Sequence, residues 1–467
     1  MNERMQKALA ETRRHFLSGC GIGLANMFLA EAQPKKPHHT PKAKSVIFLH
    51  MAGSPSQLEL FDYKPELVKY NGKPCPDELL KGKRFAFIKG VPKMLGTPYK
   101  FKQHGQSGAW VSELMPHFST VVDDVTIVRS MSTDQFNHAP AQLFVQTGNP
   151  RFGFASMGAW ATYGLGTENQ DLPGFVVLTS GGNNPDAGKS LWGSAFLPSV
   201  FQGVHCRSHG DPVLFLSDPE GMTRSVRRKT LDALKDLNGM QAKQAGDPET
   251  EARMEQYELA YRMQISVPKV MDISREPEAV HSAYGTEPGK TSLANNCLLA
   301  RRLVENGVRF VQIYDWGWDH HGTSKRDDIQ YALQPHIKTA DQAVTALLKD
   351  LKQRGLLDQT LVVWGGEFGR TVYSQGGLTK ETYGRDHHPR CFSMWMAGGG
   401  VKPGITYGET DDFSYNIVKD PMHIRDLNAT ILNLLGVDHD RLSFKFQGLD
   451  QKLTGVEPAR VVKELLA

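Results

Sequence analysis

Cysteine is scarce, five residues in 467, and no two of them form a C-x-x-C pair. That pattern excludes a zinc ribbon and a thioredoxin-type redox centre. Cys75, Cys206, Cys297 and Cys391 are widely scattered; they permit disulfides in an oxidising compartment without specifying any. Charge of one sign is also missing. The net charge is only +4 and no basic stripe is interleaved with aromatics, so no nucleic-acid partner is expected. No uncharged apolar run approaches the about 20 residues that span a bilayer, so no stable membrane insertion is expected either. What remains is an ordinary soluble composition, 40% hydrophobic and 22% charged. The chain is long enough to bury a core without disulfide staples.

The N-terminus carries an address. Thr12-Arg13-Arg14-His15-Phe16-Leu17 has the form of a twin-arginine export signal. A mildly apolar stretch kept short of bilayer length follows, and Ala30-Glu31-Ala32 fits a small-x-small cleavage site. Residues 1–32 are therefore read as a signal peptide handled by the twin-arginine export machinery, with a periplasmic or secreted product. Residues 33–44 form a Pro/Lys/His linker, and 45–467 are read as a single domain.

Within that domain, short apolar runs alternate with helical patterns. Strands are expected near 45–51, 125–131, 175–179, 212–216, 308–314, 360–364 and 391–396. Helices are expected from about His138, over 296–305 with a cap at Asn306-Gly307, and over 337–353. A charged helical stretch near 222–262 reads as an insertion. Such alternation predicts an α/β fold, a mostly parallel sheet with helices on both faces.

Three polar clusters border these strands: Asp315-Trp-Gly-Trp-Asp319-His320-His321, Gly365-Gly366-Glu367-Phe368-Gly369-Arg370-Thr371 and Gly384-Arg385-Asp386-His387-His388. Ligands of open α/β sheets collect at the carboxyl ends of strands, and gathered carboxylates and imidazoles suit a divalent cation. The candidate ligands are Asp319, His321, Glu367, Asp386 and His387, with Asp315 and His320 as substitutes. Asp386 alternatively orients His387. Glu367 alternatively pairs with Arg370 or Arg385 to hold its turn. Either arginine is a candidate for holding an anionic oxygen. Trp316 and Trp318 are candidate pocket walls, and 374–383 is a candidate lid. Ser54 and Ser56 are read as anion-cradling or as simple caps.

Ala300-Arg-Arg-Leu-Val-Glu-Asn-Gly-Val-Arg-Phe-Val-Gln312, Gly317-Trp-Asp-His-His321, Gly366-Glu-Phe-Gly-Arg-Thr371 and Gly384-Arg-Asp-His387 together resemble an exported, sulfatase-like family of unknown function. It lies within the alkaline-phosphatase and sulfatase superfamily. The resemblance implies an alkaline-phosphatase-like three-layer sandwich and a divalent metal (zinc, calcium or manganese). It also implies a nucleophile near Ser132 and Thr133 at the start of the helix after the second strand. The implied activity is metal-dependent hydrolysis of a phosphate or sulfate ester, with a small anionic ester or a sulfated or phosphorylated glycan as substrate. The alternative is a non-catalytic relative that binds a glycan, an anion or a protein partner. The chain departs from the superfamily where Ala52-Gly53-Ser54 replaces a metal-binding aspartate and Glu367-Phe368 replaces Asp-His, and from the closer family where Gln57 and Glu59 stand for a histidine and an aspartate. It also lacks Cys-x-Pro-x-Arg and Ser-x-Pro-x-Arg, the substrate sequences for a formylglycine nucleophile.

If the paired arginines are the address, Arg13→Lys combined with Arg14→Lys leaves an uncleaved precursor in the cytoplasm. Fractionation and immunoblotting check this; normal maturation of the double variant would refute it.

Overall fold

The computed structural model describes residues 36–81, 88, 90–208, 210–213, 218, 221–245, 248–379 and 382–467. The signal read over 1–32 lies outside them. The strands that build the main sheet and the site are β1 (Ser45–Ala52), β2 (Val125–Ser132), β3 (Phe175–Ser180), β4 (Val204–His205), β5 (Phe310–Trp316) and β6 (Thr360–Gly365). They continue with β7 (Gly369–Ser374), β8 (Arg385–His388), β9 (Phe392–Ala397), β10 (Ile405–Tyr407) and β11 (Met422–His423). Among the described residues, nine of these form one sheet in the order β10-β2-β9-β6-β1-β5-β3-β4, with β11 also paired to β2. The pairs β1/β5, β1/β6, β5/β3, β3/β4, β2/β10 and β2/β11 are parallel. Strand β9 alone runs against both of its neighbours, β6 and β2.

Every residue of β1 is buried, as expected for a central parallel strand covered on both faces. Alternation along it divides the core. Ile47, Leu49 and Met51 join one apolar cluster, while Val46 and Phe48 join the other. The second face is covered by α1 (His138–Thr147) and α2 (Met157–Leu165). Further along, α3 (Arg224–Ala245) and α4 (Pro248–Met271) pack on each other, with Arg228 bidentate on Glu258 at 2.9 and 2.5 Å. The first face is covered by α5 (Leu293–Glu305) and α6 (Leu333–Gln353), whereas α7 (Ile424–Leu434) returns to the second. The result is a three-layer α/β sandwich with a mostly parallel central sheet.

Helix α5 starts earlier than its apolar periodicity suggests, because the Ser292 hydroxyl accepts the Asn295 N–H at 3.1 Å. It ends at Asn306-Gly307, where Gly307 adopts φ +82. The strand expected over 212–216 does not form at its start: Pro212 and Val213 lie in bends, and 214–216 are outside the described residues. The edge position goes instead to the two-residue β4. The expected linker is docked from His38 onward, since the N–H groups of His38 and His39 bond Gly436 O and those of Lys42 and Ala43 bond Leu434 O. Cys75, Cys206, Cys297 and Cys391 are all free and buried. No helix among the described residues is long and apolar enough to cross a membrane.

The reversed strand matters most for the site. Clusters that follow β5 and β6 lie at the carboxyl edge of the parallel strands. The third cluster precedes an apolar run instead, and because β9 is antiparallel its entrance lies at that same edge. The β7/β8 hairpin is pressed there against the loop after β5: Arg385 N–H donates to His320 O at 3.1 Å. A Cβ on Gly384 would stand 2.0 Å from Gly322 N and from the His321 carbonyl carbon, both backbone atoms. Gly384→Ala is therefore expected to lower unfolding free energy by about 1–3 kcal/mol, the range of a forced overpacking. Urea titration of the purified protein measures it, and an unchanged midpoint would contradict the packing.

Candidate metal centre

Asp319 stands three residues past the end of β5, and three histidines surround it. Its Oδ1 lies 2.9 Å from His321 Nε2 and 3.4 Å from His387 Nε2, and its Oδ2 lies 3.3 Å from His138 Nε2. One donor atom from each of these four residues falls within 4.8 Å of the others. His321 comes from the same loop as Asp319, His387 from β8, and His138 is the first residue of α1.

The opposite nitrogen of each ring is already engaged. His387 Nδ1 is 2.7 Å from Phe136 O, His321 Nδ1 is 3.0 Å from Arg385 O, and His138 Nδ1 is 2.8 Å from Glu367 Oε1. Carbonyl and carboxylate oxygens only accept, so each ring proton belongs on Nδ1. Three Nε2 atoms are thereby aimed at one carboxylate. For a neutral ring Nε2 is an acceptor, and acceptors facing acceptors need a cation between them. This is the arrangement of metal-ligating histidines, whose far nitrogen is fixed by an oxygen partner. His138 Nε2 is buried and faces Asp319 Oδ2 at 3.3 Å.

Electrostatics follows from the same contacts. Burial opposes ionisation of Asp319, but Arg370, 2.6 Å away, and the imidazoles outweigh it and hold the carboxyl well below the usual range. Burial likewise opposes ionisation of Glu367, yet His138 and His50 keep it well below its ordinary value. Burial pulls the His138 imidazolium down, whereas the Asp319 and Glu367 carboxylates on either side raise it to about 9. His387 is lowered to about 4 by burial and the Arg370 charge, against the pull of Asp319.

The structure sets Glu367 behind this centre, beyond the first ring of donors. Its Oε1 accepts from Gly53 N–H at 3.0 Å, His138 Nδ1 at 2.8 Å and Gln142 Nε2 at 3.2 Å, and Oε2 stands 3.2 Å from His50 Nε2. Its oxygens are occupied in positioning His138. Asp386 lies outside the group of four; its Oδ1 accepts the N–H of its own neighbour His387 at 2.8 Å. His388 is stacked on Tyr415, 4.7 Å between ring centres. Asp315 is turned to Ser180 Oγ and Trp318 Nε1, at 2.6 and 2.9 Å, and burial raises its pKa. His320 is buried with Nδ1 3.1 Å from Trp318 O, and burial lowers it to about 3.

The expected anion-holding arginines are committed elsewhere. Arg385 is fully buried, bidentate on Glu59 at 2.6 and 3.1 Å, and donates to Leu95 O and Thr371 O at 2.8 and 3.0 Å. Arg370 points at Asp319. The departures at Gln57, Glu59 and Ser54 have structural work: Gln57 brackets the Arg370 backbone with two 2.9 Å bonds. Ser54 Oγ accepts the N–H groups of Glu367 and Phe368 at 2.8 and 3.0 Å, and the Ser54 backbone N–H, the group expected to cradle an anion, donates to Met51 O at 3.0 Å. Trp318 is fully buried against Trp364, so it is a core residue and not a pocket wall, whereas Trp316 is half-buried. Ser132 pairs its backbone with His423, and Thr133 N–H donates to Pro389 O at 2.9 Å, leaving the buried Thr133 Oγ1 without a partner. Part of the expected lid, residues 380 and 381, is outside the described residues. His138 was not among the candidate ligands. The signal for it was a histidine opening a helix after a strand that ends at the same sheet edge.

With His138 raised to about 9 in the metal-free protein, its protonation contributes stability that is fully present below about pH 6.5. That contribution is lost as pH rises through about 9. In chelator, the melting temperature should therefore fall across this window more steeply for wild type than for His138→Gln. Scanning calorimetry at stepped pH tests this; parallel curves would refute it.

Solved structures with similar folds include the lipoteichoic acid synthase LtaP from Listeria monocytogenes, with TM-score 0.38, 10% identity and coverage of 92% of this chain and 80% of that one. The PsFucS1 sulfatase from Pseudoalteromonas sp. gives TM-score 0.37, 12% identity and 91% and 72% coverage. The alkaline phosphatase from the Antarctic bacterium TAB5 gives 0.33, 12%, and 79% and 94%. No curated protein matches the sequence. A family model does: the one described as Protein of unknown function (DUF1501) matches residues 43–466, from the first strand to the C-terminus, and the chain belongs to that family.

Proposed function

We propose that the chain is an exported, metal-dependent hydrolase of a phosphate or sulfate ester, with its metal held by His138, Asp319, His321 and His387. The observation that carries this reading is the convergence of three Nε2 atoms on Asp319, each ring proton being fixed on the far side by an oxygen. Three imidazoles and one carboxylate suit zinc or manganese and not calcium, which takes oxygen ligands. A divalent cation bound there supplies Lewis acidity toward an ester oxygen and acidifies water at neutral pH.

The chain's own residues do the rest. Glu367 holds the His138 ring by its Nδ1, while Phe136 O and Arg385 O hold His387 and His321. Phe368 packs against the rings of His138 and His387, at 5.0 and 4.4 Å between centres, and shuts water out from behind. Phe136 is 53% exposed beside the centre, where it offers an apolar wall to an approaching substrate.

One observation favours the second reading, binding without turnover. The guanidinium groups of Arg370 and Arg385 are directed to carbonyls, Asp319 and Glu59, so neither is free to clamp a substrate anion.

Replacing His387 by Gln should weaken zinc or manganese binding by at least the roughly 10–100-fold that loss of a ligand's orienting partner costs. Because His387 is neutral at pH 7, the melting temperature in chelator should change little. Titration calorimetry and elemental analysis measure the first, thermal scans the second. Unchanged metal affinity would remove this residue from the centre. Stoichiometric metal without hydrolysis across a panel of phosphate and sulfate esters would decide for the second reading.

A further inference from the structure

The guanidinium of Arg370 sits in a cage of oxygens. Nε donates to Ser54 O at 3.1 Å, Nη1 to Arg385 O at 3.5 Å, and Nη2 to both Gly53 O and, at 2.6 Å, Asp319 Oδ1. The residue is 1% exposed. Gln57 clamps its backbone from behind, and the Phe368 ring stands 5.8 Å from the guanidinium carbon. Three carbonyls and a carboxylate are the donor set a hard divalent cation takes. Gly53 and Ser54 are consecutive residues at φ +102 and +63, a backbone shape that has to be imposed at the serine. Both of their carbonyls meet this one side chain.

We infer that Arg370 is a built-in second cation: its guanidinium fills an oxygen cage beside the three-histidine centre, fixes Asp319 in place, and limits the site to one metal ion. This rests on the metal reading above. Asp319 Oδ1 accepts from the guanidinium and also faces His321 and His387, while Oδ2 faces His138, so one carboxylate would join a permanent organic charge to an exchangeable inorganic one. A second metal ion would have to displace a buried positive charge that cannot be neutralised by deprotonation. Arg385 O belongs to both halves, accepting from His321 Nδ1 at 3.0 Å as well as from Arg370. Arg370 is thus a positioning residue for Asp319 and His321.

The test uses the mature protein as wild type, Arg370→Ala, Arg370→Lys and Arg370→Gln. Each is titrated with zinc after chelation, with calorimetry and elemental analysis as readouts. Wild type should bind one equivalent. Arg370→Ala should bind zinc about tenfold or more weakly, and low-millimolar guanidinium chloride should restore affinity where sodium chloride does not. Arg370→Lys should retain more affinity than Arg370→Gln, which serves if the alanine variant does not fold. Two equivalents in wild type, wild-type affinity in Arg370→Ala, or equal affinities for the Lys and Gln variants would each overturn the inference. The metal reading fails separately, if wild type binds no zinc or manganese. The cage is then still read by whether guanidinium raises the melting temperature of Arg370→Ala in chelator.

Discussion

The turn that ends β1 holds the site together. Gly53 N–H donates to Glu367 and Gly53 O accepts from Arg370; Ser54 Oγ accepts two N–H groups from the segment after β6, and Ser54 O accepts Arg370 Nε. A Cβ on Gly53 would lie 2.7 Å from Asp319 N, so the glycine also lets the loop after β5 settle directly on this turn. The segment after β6 and the start of β7 are thereby bonded to a single pair of residues, and the loop after β5 packs on it. The left-handed conformation of Ser54, φ +63, costs about 1–2 kcal/mol. The two N–H bonds to its hydroxyl contribute about 0.5–1.5 kcal/mol each and offset that strain.

Much of this was legible before any coordinates. Apolar runs located the strands because a central parallel strand is buried on both faces, and the polar residues flanking them fell at one edge because six of the sheet's strand pairs are parallel. Asp319, His321 and His387 were named as ligands and do lie together. The sequence pattern could not say that β9 runs backwards, yet that reversal is what brings the cluster before it to the same edge as the clusters after β5 and β6.

What was not legible depends on long-range pairing. Glu367 follows a strand and is flanked by glycines, as a ligand would be, but four donors from β1, its turn and α1 converge on it. Three of the residues facing this region, His138, Gln142 and Gln146, recur at every fourth position of α1, the spacing of one helix face. Gln146 reaches His50 at 3.3 Å, so the stripe supports Glu367 from both directions. Asp386 is adjacent to His387, and on a strand neighbours point apart; Arg385, two positions away, would share the His387 face on a regular strand, but the pairing register shifts between the two. Arg385 is drawn inward by Glu59, more than 300 positions away in the chain.

The charges around Asp319 place a condition on what the site can receive. Without metal, the carboxylates of Asp319 and Glu367 are opposed by the guanidinium of Arg370 and the raised imidazolium of His138. That is a balanced set, which explains how so many ionisable groups remain together at the sheet edge. A divalent cation held there would take the His138 Nε2 lone pair, so its binding would release the proton from that ring. Two positive charges would then replace one, leaving an excess of one positive charge, since Arg370 cannot give up its own. Solvent reaches the centre on the side of Asp319, whose side chain is 34% exposed, and of Phe136, so an incoming group can compensate this excess only from there. Under the proposed function, an ester oxyanion would meet that condition and a neutral substrate would not. The same permanent charge that contacts Asp319 would then also favour an anionic substrate, without either arginine having to touch it.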